Sequence, residues 1–193
     1  MTLPKYDKNK RRKSFQMLPK GAYVVVIKNV KEDKWPSGDE MLRIAFDIAE
    51  GEYKGFYQNQ FDNNPDEDKK WPGDATYTLN IPNDNSQQYV WDLWNTFFAD
   101  LEDSNNGFVF GMDDVKKLKG KLIGGKFHNH QSEYKGETYD HIQLKWTCPA
   151  DDVRNGKPGK MPKDKLITGS NAQGPVDNTF MNIPEDAADE IPF

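Results

Sequence analysis

A single cysteine, Cys148, leaves this 193-residue chain without an internal disulfide and without a thiolate cage for a metal ion, which points to a reducing compartment. Long apolar runs are missing as well. Nothing approaches the ~18 apolar residues of a membrane span, and the opening MTLPKYDKNKRRK carries charge where a signal peptide needs an apolar stretch. The expected location is the cytoplasm, with no membrane partner. No G-x-x-x-x-G-K-[ST] phosphate loop is present, the GKPGK at 156–160 lies late in the chain, and no nucleophile, base and acid stand out as a set. The expectation is a protein that is not an enzyme and needs no cofactor. With 35% hydrophobic and 30% charged residues, the chain can bury one modest core rather than two.

Charge is present in quantity but unevenly placed. The formal net charge is -5, yet residues 1–20 hold seven bases (Lys5, Lys8, Lys10, Arg11, Arg12, Lys13 and Lys20) against Asp7 alone. The last nine residues hold Glu185, Asp186, Asp189 and Glu190 and no base. A basic arm at 1–20 gives an electrostatic footprint for a polyanion, and an acidic tip gives a partner-facing or self-masking element.

Between the ends, hydrophobic period identifies the elements. GAYVVVIKNV (21–30) is β-branched and follows a Pro-Lys-Gly turn. In MLRIAFDIAEG (41–51), Leu42, Ile44, Phe46 and Ile48 alternate with Met41, Arg43, Ala45 and Asp47, as a half-buried strand requires. EYKGFYQNQF (52–61) is assigned as a third strand. In DNSQQYVWDLWNTFFADLED (84–103) the period becomes helical: Val90, Leu93, Trp94, Phe97, Phe98 and Leu101 form one stripe behind an Asp84, Asn85, Ser86 capping cluster. KLIGGKFHNHQ (121–131) and TYDHIQLKWTC (138–148) flank SEYKGE, which reads as a hairpin loop. The predicted fold class is mainly β: a five-stranded OB-fold, a partly open Greek-key barrel over 21–149, with its helix between strands 3 and 4. A small α+β sheet gives a similar order.

From about 149 onward the chain is rich in Pro, Gly, Asn and Asp without an apolar period, so 150–193 reads as a flexible, disordered linker and tail ending in EDAADEIPF. That ending, DEIPF, resembles the acidic Ile-Pro-Phe tip of bacterial single-stranded-DNA-binding proteins, in which a disordered linker joins an OB domain to the tip. LPKGAYVVVIKNV followed by LRIAFDIAEGEYKGFY is similar to a family of small phage and integrative-element proteins. Residues 1–149 show no line-by-line match to the cellular proteins. The resemblance implies coating of single-stranded DNA in replication, recombination or repair, with the tip recruiting polymerase, helicase, primase or repair proteins. Physically, the Phe193 ring and carboxylate, preceded by Ile191 and Pro192, suit an apolar pocket rimmed by bases, with Asp186, Asp189 and Glu190 steering the approach.

A sequence-tolerant DNA binder stacks bases on rings and follows the backbone with Lys and Arg. The candidates are Arg11, Arg12 and Lys13 in the arm; Lys34 and Trp35 in the predicted strand 1–2 loop; and Tyr53, Lys54, Tyr57 and Phe61 in predicted strand 3. Trp71, Tyr134 and Lys135 are loop candidates, and Arg43, Lys126, His128 and Lys145 lie on the sheet. Tyr57 and Phe61 are equally consistent with barrel core. The acidic stretch 62–74 is expected to be a solvated excursion. Two other readings stand beside this one. The body is near neutral, with 21 bases against 23 acids over 1–149, which suits an adaptor or decoy that engages host proteins through its tail. His128, His130 and His141 together would suit a metal-dependent nuclease. Self-association is left open.

Overall fold

The computed structural model describes residues 16–111 and 115–167. The arm residues Arg11, Arg12 and Lys13 and the whole acidic tip, Asp186 to Phe193, lie outside the described residues.

The fold is mainly β, with one open, antiparallel five-stranded sheet and a few helices. The strands are β1 (Ala22–Lys34), β2 (Glu40–Ile48), β3 (Thr76–Asn80), β4 (Leu122–Tyr134) and β5 (Glu137–Cys148), ordered β3-β2-β1-β4-β5 across the sheet. Helix α1 (Phe56–Asn63) lies between β2 and β3, α2 (Gln88–Ser104) between β3 and β4, and α3 (Ala150–Arg154) after β5. Short 3-10 turns occupy Gly73–Ala75 and Val115–Leu118.

Strand β1 is the hub. Its first half, Ala22 to Val26, pairs with β4, while Val25 to Lys34 pairs with β2. Two bulges bend the ladder, each leaving a lysine as the extra residue: Lys28 on β1, between the Ile27 and Asn29 pairs, and Lys145 on β5, opposite Lys126 and Phe127. Bulges increase local twist, and here they curl the sheet until β3 and β5, the two outer strands, come into contact. Each runs antiparallel to its neighbour, so β3 and β5 run in the same direction where they meet.

The alternating face of β2 is buried as its period predicts, with Leu42, Ile44, Phe46 and Ile48 all in the core. Met41 and Asp47, on the opposite face by alternation, are buried too. The α2 stripe also packs as read: Phe97, Phe98 and Leu101 are buried, and Leu93 and Trp94 lie against the core cluster. The proposed capping cluster does not cap it. Asn83 N donates to Ser86 Oγ at 2.9 Å and Asn85 N to Asn83 Oδ1 at 2.9 Å, closing a separate turn, and the helix starts after Gln87.

The third strand assigned to 52–61 is overturned, since that segment turns and becomes α1, and the true β3 is TYTLN at 76–80. Gly51 and Gly55 adopt positive φ values of 79° and 73°, which glycine tolerates without a Cβ clash. The helix is then capped from a distance. Asp47, a buried β2 residue, accepts from Tyr57 N at 2.9 Å and from its own neighbour Ile48 N at 2.9 Å. A carboxylate at a helix N-terminus satisfies orphan donors and meets the positive end of the dipole.

Packed chain also continues past residue 149. Ala150 is fully buried, and α3 packs on β1 and β4. Arg154 reaches back to Glu50 at 2.6 Å. Lys165 then lies parallel to β4, with Lys165 N donating to Asn129 O and Gln131 N to Lys165 O, both at 2.8 Å. A linker beginning at 150 is therefore too early, because residues 163–167 cover the part of β4 that extends beyond β1.

Candidate functional site

Six rings join α1 to the sheet in a closed circuit. Tyr53 meets Tyr23 (5.8 Å between centroids), Tyr23 meets Phe127 (5.6 Å), and Phe127 meets Phe46 (5.7 Å). Phe46 meets Tyr57 (5.8 Å), Tyr57 meets Phe56 (5.1 Å), and Phe56 returns to Tyr53 (6.2 Å). All six contacts are edge-on, the arrangement in which a positive ring edge meets a negative face, worth about 0.5–1.5 kcal/mol each beyond area burial. Tyr53 and Tyr57 thus hold the fold together rather than standing on a DNA-facing strand. Tyr57 is 2% exposed.

Phe61 differs. On the outer side of α1 it lies 5.7 Å from Trp71, tilted by 40°, with the Lys69 ammonium 4.8 Å from its centroid. Trp71 is half-buried and its indole N–H donates to Ala75 O at 3.2 Å. A cavity of about 290 Å³ opens beside this pair, walled by Met17, Leu18, Phe56, Phe61 and Ile142. Tyr57 also lines it, and Gln60, Asn64, Lys70 and Asp74 supply polar groups.

Asp74 is held in place by β5. His141 Nδ1 lies 3.2 Å from Asp74 Oδ1, Gln143 Nε2 donates to the same oxygen at 3.3 Å, and His141 Nε2 lies 2.9 Å from Ser132 Oγ. One consistent proton arrangement has Ser132 donating to Nε2 and Nδ1 donating to Asp74. The stretch 62–74 is therefore not wholly a solvated excursion, because Asp74 latches it to β5. Serine, histidine and aspartate in this order are the parts of a nucleophile relay, but acyl transfer also needs N–H donors converging on the oxyanion. Ser132 sits within a strand, not on the sharp strand-to-helix turn that presents such donors, and the N–H of its neighbour Gln131 is bonded to Lys165 O. What the relay does in this geometry is fix the Asp74 carboxylate at the cavity.

The three histidines do not converge. His128 is buried with Nδ1 2.8 Å from Lys163 O, His130 Nδ1 is 2.9 Å from Gln143 Oε1, and His141 is in the relay above. Burial pulls the His128 pKa down, opposed in part by its bond to Lys163 O. Among the described residues no group of three or more His, Cys, Asp or Glu side chains is placed to hold a metal ion.

The remaining candidates fall into separate places. Lys34 pairs with Glu40 at 2.9 Å and Arg43 with Asp33 at 3.0 Å, so bases on β1 and β2 meet acids of the same two strands. Trp35 is half-buried, its indole N–H donating to Asn80 Oδ1 at 2.7 Å, which fastens the β1–β2 turn to the end of β3. Lys126 Nζ donates to Pro158 O at 3.3 Å and lies 5.8 Å from the Trp146 ring centroid, and Lys145 occupies the β5 bulge. Lys54 is exposed at the turn before α1.

The β4–β5 tip is the most open aromatic site of the set. Lys135 and Gly136 have φ values of 53° and 80°, a two-residue turn with both central residues left-handed, whose twist matches that of paired strands. Tyr134 is 62% exposed, and the Lys135 ammonium lies 5.2 Å from its ring centroid. By register, this tip lies beyond the N-terminal end of β1 and the β1–β2 turn lies beyond its C-terminal end. Asp74 and Gln143 escaped sequence reading because they meet across more than sixty residues, and Ser132 because it matters only through His141; the aromatic spacing at 56, 57 and 61 did carry a helical signal for α1.

A family described as "Protein of unknown function (DUF669)" matches this chain over residues 4–81, a span that includes β1, β2, α1 and β3 and stops short of α2, β4 and β5. Among curated proteins the chain matches none. In the described residues no helix is long and apolar enough to cross a membrane.

Proposed function

We propose that this chain is a non-catalytic single-stranded-DNA-binding protein built on an OB-fold, acting in replication, recombination or repair in the cytoplasm, and of phage or mobile-element type. The observation that carries the reading is the strand arrangement together with what stands on its turns. The order β3-β2-β1-β4-β5, with β3 and β5 touching in the same direction and α2 packed between β3 and β4 in sequence, fits a partly open Greek-key barrel. In such barrels nucleic acid lies across strands 2 and 3 and the 1–2 and 4–5 loops. Here the 4–5 turn offers an exposed ring with an ammonium beside it, a pair suited to base stacking and backbone neutralisation. The basic arm adds six cations before Gln16, and the tip DEIPF would recruit partner proteins to the coated strand.

The test is a titration of labelled oligo(dT) and of duplex DNA with the full chain at several salt concentrations. Binding should favour the single strand, and log K should fall linearly with log salt as phosphate counterions are released. Equal or tighter binding to duplex refutes the proposal. A specific observation favours the adaptor reading as second: Lys31, Lys34 and Arg43 of β1 and β2 are each matched by Asp33 or Glu40. Absence of DNA binding combined with tip-dependent capture of a replication protein selects that reading.

A further inference from the structure

The α1 cavity is not explained by strand coating alone, which needs only open rings and cations. It is small, about 290 Å³, and concave, with an apolar wall on one side and a carboxylate on the other. A site that size accepts one flat ring system and little more. Phe56 and Phe61 supply an aromatic wall, with Trp71 packed against Phe61, and Asp74 is pre-positioned as an acceptor by His141 and Gln143.

Two further observations identify the occupant's chemistry. Tyr57 lines the cavity and its buried hydroxyl has no hydrogen-bond partner. An orphan donor of this kind costs about 1–3 kcal/mol, and an occupant whose edge bears an acceptor removes that cost. Burial and the charges of Asp74 and Asp47 raise the Tyr57 pKa, so the phenol remains a donor. Two ammonium groups are available to an entering phosphate: Lys70 lines the cavity and makes no ion pair among the described residues, and Lys69 lies over the Phe61 ring. A flat ring with adjacent donor and acceptor groups, attached to an anionic backbone, is a nucleotide.

We infer that this cavity seats a single base of the bound strand, stacked against Phe61 with its hydrogen-bonding edge toward Asp74 and its phosphate near Lys70. The inference rests on the DNA-binding reading and deepens it: a protein that otherwise tolerates any sequence acquires a base preference at one position, because stacking is indifferent to base identity whereas a fixed carboxylate is not.

The experiment uses the full-length chain, its Phe61→Ala, Gln60→Trp and Asp74→Asn variants, and two ligand sets. One set is 20-mers of dT, dC and dA; the other is the four deoxynucleoside 5′-monophosphates, read by Trp emission, since Trp71 touches Phe61. At least one mononucleotide should quench the wild type at millimolar concentration and not quench Gln60→Trp, whose added ring fills the mouth. Phe61→Ala and Gln60→Trp should each weaken the preferred 20-mer by about 5- to 150-fold, the range for one lost stacked base. Asp74→Asn should narrow the difference among homopolymers. Thermal melts check folding, and Gln60→Trp, at a partly exposed position, keeps the test decisive if Phe61→Ala unfolds. If the 20-mers bind and both cavity variants bind them as the wild type does, the base seat is wrong and the DNA-binding reading stands. Mononucleotide binding with unaltered 20-mer affinities also overturns it, since the cavity then takes free nucleotide. If no oligonucleotide binds the wild type, both readings fall.

Discussion

Replacing Tyr134 by Ala separates stacking from folding more cleanly than any tryptophan in the chain. The ring is 62% exposed, its recorded ring contact is the Lys135 ammonium at 5.2 Å, and it belongs to a two-residue turn whose conformation depends on Lys135 and Gly136. Its removal should change stability by no more than about 0.5 kcal/mol, as for surface positions away from caps and cores. If one base stacks on it, affinity for single-stranded DNA should fall by about 1–3 kcal/mol, or roughly 5- to 150-fold. Trp71 makes the contrast. Half-buried against Phe61 and bonded to Ala75 O, it should cost roughly 2 kcal/mol or more of stability as Ala, so a loss of binding there mixes two causes. Anisotropy titrations with a labelled oligo(dT), beside urea unfolding of the same samples, read both quantities. Unchanged affinity in Tyr134→Ala removes the β4–β5 turn from the interface and with it the main support for the DNA-binding proposal.

Gly124→Ala should destabilise by about 1–3 kcal/mol, because its Cβ would lie 2.8 Å from the Cys148 carbonyl oxygen, from Cys148 Sγ and from Val153 Cγ2, and a backbone atom cannot rotate away; a urea midpoint equal to wild type would contradict this packing. Asp100 is buried, and desolvation raises its pKa above the ordinary 3.8 despite the Thr147 hydroxyl bond at 2.6 Å. The folded state therefore holds the proton more tightly, and stability is lost as pH rises from about 3.8 through the folded value. Asp100→Asn, which still accepts from Thr147, should be more stable than wild type at pH 7 and flatten that dependence in thermal melts. His128 has the opposite sign: with its folded pKa below 6.5, stability is full above 6.5 and declines as pH falls through the folded value. His128→Gln should remove that decline, and an unchanged pH profile would show that the ring is not buried neutral.

Four of the five strands and α2 were legible in the sequence because each runs for nine or more residues, long enough for a period to assert itself. Strand β3 has five residues and buries Leu79 alone, so it offers little alternation. Helix α1 was mistaken for a strand because its cap comes from Asp47, nine residues upstream of Phe56, where no local capping pattern can reveal it. The domain end was placed too early because residues 150–167 pack through one buried alanine, an Arg154 ion pair and backbone pairing with β4 rather than through an apolar stripe. For the candidate site, aromatic-basic pairs were visible, but whether a ring faces solvent was not. Trp35 and Trp71 follow lysines and precede prolines in polar segments, yet both turn their indole N–H groups inward, whereas Tyr134 does not.

The contact between β3 and β5 has a consequence for how the protein breathes. Every other strand junction is a backbone ladder, but this one is closed by side chains, among them the His141–Asp74 and Gln143–Asp74 bonds that tie the 3-10 turn before β3 to β5. Parting it breaks these polar bonds and loosens the packing of Leu79 and Ile142 but leaves the four ladders intact, so it offers a local opening route short of global unfolding. Amide protons on the outer edges of β3 and β5 should therefore exchange by a local route, faster than those at the centre of β1, where Val25 and Val26 are paired on both sides. The sheet has a hinge line where its two outer strands meet, and the α1 cavity is lined from both sides of that line, by Asp74 of the turn before β3 and by Ile142 of β5.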